Sequence, residues 1–124
     1  MQFILVFMGG GLGAALRHLV NLVSLRLVGT SLPFATLFIN VTGSILLGVV
    51  AGVFALKGSI HPSWRVFIAT GILGGYTTFS TFSLETALLI ERGHAGVALL
   101  YVLSSVALGV GGLFLGMVAA KALS

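Results

Sequence analysis

Four apolar stretches, each close to the roughly 20 residues that a bilayer-spanning helix needs, take up nearly all of this chain. Only short polar turns separate them. The first stretch runs from about Phe3 to Leu25 and closes near Arg26. The second starts after Leu32 at Pro33, where proline suits a helix's first turn, and continues to about Leu56. Lys57 to Ser63 form a loop, and Trp64 follows where an interfacial aromatic anchor belongs. The third stretch covers about Arg65 to Ile90. Glu91-Arg92-Gly93-His94 turns the chain into the fourth, from about Ala95 to Ala120, closed by Lys121. The reading is one all-α transmembrane domain over residues 1–124, with helices at about 3–25, 33–56, 65–90 and 95–120.

Composition excludes the alternatives. The chain is 58% hydrophobic and 6% charged, with mean hydropathy +1.22, whereas a soluble domain carries about 25% charged residues. Cysteine is absent, which removes disulfides and thiolate metal sites. The Lys and Arg residues are scattered singly, so no basic face for nucleic acid forms. The first stretch does not read as a secretory signal: no cation precedes it, no small-residue cleavage site follows it, and Arg17 interrupts it. The run FILVFMGGGLGAAL resembles a dinucleotide-binding turn, but the acid needed about 20 residues on is missing, the first in the chain being Glu85.

With four spans both termini lie on one side, together with Lys57, Arg65 and Lys121. Arg26 and Arg92 lie on the other, joined by Arg17 if it snorkels outward. That near balance gives almost no positive-inside signal. The chain can thus insert both ways up, and antiparallel pairing would leave Ser124 reachable from both sides. Glycines four residues apart recur in every span: Gly9/Gly13, Gly48/Gly52, Gly71/Gly75 and Gly112/Gly116. Such faces let membrane helices approach closely, although with 18 glycines the pattern points to no particular pair. Four short helices enclose little interior, which favours a homo-oligomer.

The chemistry concentrates in GILGGYTTFSTFSLE, residues Gly71 to Glu85. Polar groups at membrane depth are costly and line something. Gly71, Gly74 and Gly75 weaken the helix ahead of the hydroxyl run, so a break is expected near Gly74–Thr78. Such a break frees carbonyls for a cation and amides for an anion. Thr78, Thr81 and Glu85 share one helical face, with Phe79 and Phe82 on a neighbouring one. The phenylalanine pair is either ordinary packing or, beside so many hydroxyls, a pair of electropositive ring edges aimed at an anion.

Other polar residues stay open in the same way. Thr36, Asn40 and Ser44 form a stripe on the second span, serving either as an interhelical fastening or as a pore lining. Tyr101 and Ser105 on the fourth either extend a hydroxyl path or bond back to their own helix. Arg17 either snorkels or raises the anion potential at a pore mouth. Glu85 is either a proton carrier or, as favoured here, a carboxylate accepting hydrogen bonds. His18, His61 and His94 sit near helix ends or loops, without metal-site spacing.

These residues resemble the small bacterial fluoride channels, the Fluc/CrcB family. The resemblance rests on GGGLGAALRH in the first span, TLFINVTGSILLG in the second and GILGGYTTFSTFSLE in the third, and it covers essentially the whole chain. It implies a fluoride-selective channel that lets fluoride leave the cell passively, with no reaction catalysed. It also implies an antiparallel dual-topology homodimer in the inner or plasma membrane, with the third helix broken mid-membrane. On the same resemblance Phe79 and Phe82 contact fluoride, and Asn40 supplies a pore amide. Ser80, Thr81 and Glu85 form a polar track, and Tyr101 and Ser105 correspond to fourth-span polar positions. Arg17 lies in the vestibule, and the carbonyls of Gly74 and Thr77 hold one structural sodium ion per dimer at the interface. Fluoride, the bilayer and a second copy of the chain are the implied partners. Two departures stand out: Tyr76, where the family often has an apolar residue, and Gly109, Gly111 and Gly112, where some relatives carry hydroxyls. The rival readings are a small proton-coupled multidrug exporter, which needs an acid exposed in a central cavity, and a non-transporting assembly subunit, which leaves the Asn40 stripe unexplained.

Overall fold

The computed structural model describes residues 1–30 and 32–123. Ser124, whose two-sided accessibility antiparallel pairing implies, lies outside the described residues. All secondary structure among the described residues is helical. Helix α1 spans Gln2–Val28 and stops at Gly29, whose φ of 76° few other residues adopt. Helix α2 spans Phe34–Leu56, Pro33 standing just before it because it has no N–H to donate. The last helix, α5, spans Ala95–Ala122. These three are long and apolar enough to cross a bilayer. Their apolar residues face outward as well as inward, as lipid-facing helices do; Phe3 is 91% exposed.

The third span differs from its neighbours. Helix α3 covers residues 62–76, opened by Pro62 and capped by His61, whose Nδ1 accepts from Ser63 N at 3.1 Å. Over Val66–Leu73 it is wound as a π-helix, a rare form frequent at functional sites. Regular winding resumes for Gly74–Tyr76, then Thr77 (ψ 159°) and Thr78 (φ −150°, ψ 120°) are extended. Helix α4 restarts at Phe79 and ends at Glu91. Its 13 residues reach about 20 Å, short of a hydrocarbon core of about 30 Å, so α3 and α4 cross only together. Glycine weakness anticipated a break near Gly74–Thr78; it falls on the two threonines, while Gly74 and Gly75 remain helical. The turn after α4 closes on Gly93 (φ 82°), with His94 N donating to Leu89 O at 2.8 Å, a left-handed helix cap.

The glycine spacing, silent about partners in the sequence, resolves into two interfaces. Gly9 and Gly13 of α1 lie against α3, and Gly71 and Gly75 of α3 lie against α1. A Cβ on Gly9 would stand 2.6 Å from Phe67 O, and one on Gly75 2.5 Å from Gly10 O. Gly48 and Gly52 of α2 lie against Leu113, Met117 and Ala120 of α5, and Gly112 and Gly116 of α5 lie against Ile45 and its neighbours on α2, a Cβ on Gly52 falling 2.7 Å from Ala120 Cβ. Lipid tails are as apolar as leucine, so close backbone packing rather than hydrophobic exclusion holds such pairs together. A smaller core of Leu89, Ala98 and Tyr101, with Leu37 and Phe82 against it, seats α4 on α5.

Candidate functional site

Two side chains hold the break open. Asn40, in the second turn of α2, grips both backbone polar groups of Thr78: its Oδ1 accepts from Thr78 N at 2.8 Å and its Nδ2 donates to Thr78 O at 3.0 Å. Thr78 in turn caps α4, its Oγ1 accepting from Thr81 N at 3.2 Å and donating to Thr81 Oγ1 at 3.1 Å. Each buried polar group left unpaired would cost about 1–3 kcal/mol, so these bonds decide where the helix stops. Thr78 thus stands in the break as the cap of α4, one step outside the helical face it was expected to share with Thr81 and Glu85.

The same bonds take up the α-helical donors of two carbonyls. The α-helical donor for Gly74 O would be Thr78 N, which Asn40 has taken. The donor for Thr77 O would be Thr81 N, which Thr78 Oγ1 has taken. Gly74 and Thr77 both line a cleft of ≈ 270 Å³ with Asn40, Ser44, Thr78 and Phe79. Among the described residues no three His, Asp or Glu side chains converge, so the oxygens this cleft offers a cation are carbonyls and hydroxyls. The approach of α2 to the break is close: a Cβ on Gly43 would run into Thr77 Cγ2. Beside it the Tyr76 hydroxyl meets Thr42 Oγ1 at 2.9 Å.

From the break a line of rings and hydroxyls runs along α4. Phe79 and Phe82 have centroids 5.6 Å apart at 46°, and Phe82 and Tyr101 5.1 Å apart at 54°. Tilted pairs leave electropositive edges uncovered, and Phe79 is 78% exposed. Tyr101 Oη donates to Glu85 Oε1 at 3.1 Å. Ser80 Oγ lies 3.4 Å from Thr78 Oγ1. Ser105, one turn beyond Tyr101, has a buried Oγ with no hydrogen-bond partner, so it does not bond back to its own helix.

Arg17 is half-buried and lines a second cleft, ≈ 190 Å³, with His18, Asn21, Thr36, Thr78 and Thr81. The α2 stripe therefore reads in order along the site: Thr36 in the Arg17 cleft, Asn40 on the break, Ser44 in the ≈ 270 Å³ cleft. A third cleft, ≈ 150 Å³, holds Glu85, Thr30 and Arg92. Asn40, Phe79, Phe82, Ser80, Thr81, Tyr101 and Glu85 are thus brought into one connected set, with Arg17 beside Thr81. Gly74 and Thr77 share the cleft behind Asn40. Sequence reasoning passed over the Thr42–Tyr76 bond and the placing of Asn21 and His18 beside Arg17. The helical spacing of Arg17 and Asn21, at i and i+4, was the available signal for the latter.

Comparison with known proteins gives one consistent neighbourhood. The family described as "CrcB-like protein, Camphor Resistance (CrcB)" matches residues 4–117. The fluoride-specific ion channel FluC of Rhodopseudomonas palustris (strain BisB5) is 56% identical over 124 residues, covering all of both chains. Fluoride-specific ion channel FluC 2 of Nitrobacter hamburgensis is 56% identical over 117 residues, 94% of each chain. The fluoride-specific ion channel FluC of Beijerinckia indica subsp. indica is 57% identical over 123 residues, 98% of this chain and 97% of that one.

Proposed function

We infer that this chain, which belongs to the CrcB family, is a fluoride-selective channel: a multi-pass membrane protein that lets fluoride run down its gradient out of the cell and catalyses no reaction. The observation that carries the site assignment is the broken third span. It sets neutral hydrogen-bond donors and phenylalanine edges in one line, inside helices otherwise too apolar for water. Fluoride is small and strongly hydrated, so a pore must replace lost water with donors. Hydroxyls, amides and ring edges do so weakly enough for the ion to leave again, as conduction requires.

In this reading Arg17 raises the anion potential at a mouth, and Thr81, Ser80, the edges of Phe79 and Phe82, Tyr101 and Glu85 line the path. The second Nδ2 hydrogen of Asn40 adds a donor at the break. The unpartnered Ser105 hydroxyl is a donor without another task. Confining the fixed cation to the mouth keeps the ion from sinking too deeply. Replacing Phe82 by isoleucine, apolar but without a positive rim, should slow fluoride efflux by about tenfold or more, the loss of about 1.4 kcal/mol of ion stabilisation, in protein that still elutes as wild type. Efflux at the wild-type rate would remove the rings from the pathway.

The finer assembly is part of the same proposal: an antiparallel homodimer, with one sodium ion at its centre held by Gly74 and Thr77 carbonyls. The near-even split of cations between the two ends supports two insertion directions, and the exposed Phe79 and open ≈ 270 Å³ cleft support a partner. Carbonyls that have lost their α-helical donors suit a hard cation, which takes oxygen ligands. A fixed positive charge there would stabilise anions nearby. Gly74 isolates this idea, because a Cβ there meets nothing closer than Ala69 O at 3.5 Å. Gly74→Leu should therefore leave the single chain folded yet break dimerisation and efflux together. Intact assembly and flux in that variant would sink the central cation.

A further inference from the structure

The break in the third span lies on one patch of α2, and three residues of that patch meet it. Asn40 holds Thr78, and Thr77 packs over Gly43, where a Cβ would run into Thr77 Cγ2. Tyr76, the last helical residue before the break, reaches Thr42: its hydroxyl stands 2.9 Å from Thr42 Oγ1. At about 100° per residue, Gly43 lies between Asn40 and Thr42 around the α2 axis. The Tyr76 bond has a direction. Thr42 has one hydroxyl hydrogen and turns it to its own helix, toward Phe38 O at 2.7 Å and Ile39 O at 3.2 Å. The Tyr76 hydroxyl therefore donates and Thr42 Oγ1 accepts. Tyr76 is buried, and a Cβ on Gly43 would stand 3.2 Å from its ring, so glycine at 43 is what admits it. The turn Gly74–Tyr76 is thus clamped between two helices, by α1 at Gly75 and by α2 at Tyr76. A phenylalanine at position 76 would fill the same space, so the hydroxyl adds only the tie to Thr42.

We propose that Tyr76 is a positioning residue: its hydroxyl, tied to Thr42, fixes the turn that presents the Gly74 and Thr77 carbonyls. Tyr76 does not line the cleft that Gly74 and Thr77 share, so it acts through these neighbours. Asn40 fixes the chain just beyond Thr77, and the Tyr76–Thr42 bond fixes it just before. With one tie gone, the extended Thr77 peptide (ψ 159°) hangs from a single fastening. Glycines at 74 and 75 give the turn little stiffness of its own, which is why a tie at Tyr76 matters. This inference rests on the central-cation reading, and its test separates the two.

The test uses full-length protein dialysed against graded sodium, with N-methylglucamine as the replacing cation. Atomic emission counts the sodium bound, and liposomes of the same protein report fluoride efflux. Tyr76→Phe, which removes only the hydroxyl, should raise the sodium needed for half-saturation by about three- to tenfold, the span of one hydrogen bond's net contribution. Efflux should fall and recover in step with bound sodium. Thr42→Val should give the same shift, and Thr42→Ser, which keeps an accepting hydroxyl, should restore wild-type binding. Tyr76→Phe combined with Thr42→Val should shift no further than either alone, because both remove one bond. A Tyr76→Phe protein that binds sodium as the wild type does, whether or not it melts lower, would overturn the inference and leave an interhelical fastening. Additive shifts in the double variant would overturn it too. Wild-type protein that passes fluoride at full rate with no sodium bound would instead remove the central cation beneath it.

Discussion

Changing Asn40 to aspartate should cut fluoride efflux by about two orders of magnitude while leaving the helices formed. Aspartate has the shape of asparagine, so Oδ1 can still accept from Thr78 N. The other contact reverses: a carboxylate oxygen replaces Nδ2 and faces Thr78 O at 3.0 Å, acceptor against acceptor. The break then loses one of its two fastenings, and a negative charge, or a proton that must be taken up to avoid it, appears on the anion's route. A lost hydrogen bond and an unpaired carbonyl together amount to about 2–3 kcal/mol, and tenfold corresponds to 1.4 kcal/mol. Asn40→Leu goes further, leaving both Thr78 groups without the side chain that holds them, and should also destabilise the fold. Initial efflux from liposomes, normalised to protein that elutes as the wild type, reads the effect. Wild-type flux in Asn40→Asp would mean that the amide merely fastens two helices and that fluoride travels elsewhere.

The second large effect concerns the scaffold. Gly116→Val should prevent α2 and α5 from closing, because a Cβ at Gly116 would run into Ile45 O and stand 2.9 Å from Val49 N. Gly13→Val should do the same between α1 and α3, where the Cβ would meet Ile72 O and stand 2.7 Å from Tyr76 N. In both cases the obstacle is backbone, which cannot swing aside as a flexible side chain can. Overpacking a tight contact costs about 1–3 kcal/mol even where rotamers can adjust, and here they cannot. Little monodisperse protein should survive detergent extraction. Gly111→Val is the matched control on α5, since a Cβ there meets nothing within 4 Å, and a change at such a position stays within about 0.5 kcal/mol. Equal yields for Gly116→Val and Gly111→Val would mean that the glycine faces are not the seams of the bundle.

Much of this architecture was legible in the residues, and the parts that were not have physical reasons. The three long helices followed from apolar length alone, because a bilayer leaves the backbone few other ways to satisfy its polar groups. Glycine spacing identified contact faces but not partners: a face is a local property, whereas pairing Gly9 with Gly71 depends on how distant segments meet. The region of the break was visible in GILGGYTTFSTFSLE, but its position was not. Local propensity points at the glycines, yet the stop is set by Asn40, 38 residues away, and by a threonine that prefers to cap α4. The π-winding of Val66–Leu73 likewise has no local mark.

Among the candidate residues, spacing put Phe79 and Phe82 on one helical face, and their rings do pack together, while the role given them comes from the resemblance. The bond between Tyr101 and Glu85 joins residues 16 apart on different helices, which spacing cannot reveal. It favours the hydrogen-bonding role over the proton carrier that an exporter would need, since the carboxylate is engaged rather than free in a central cavity.

The central claim is tested most directly by the ion the protein passes. Liposomes holding the purified wild-type chain, loaded with equal fluoride and chloride and opened electrically with a potassium ionophore, should lose fluoride rapidly to a fluoride-selective electrode while a chloride electrode beside it records retention. Loss of both ions at similar rates, or retention of fluoride by vesicles carrying well-folded protein, would contradict it.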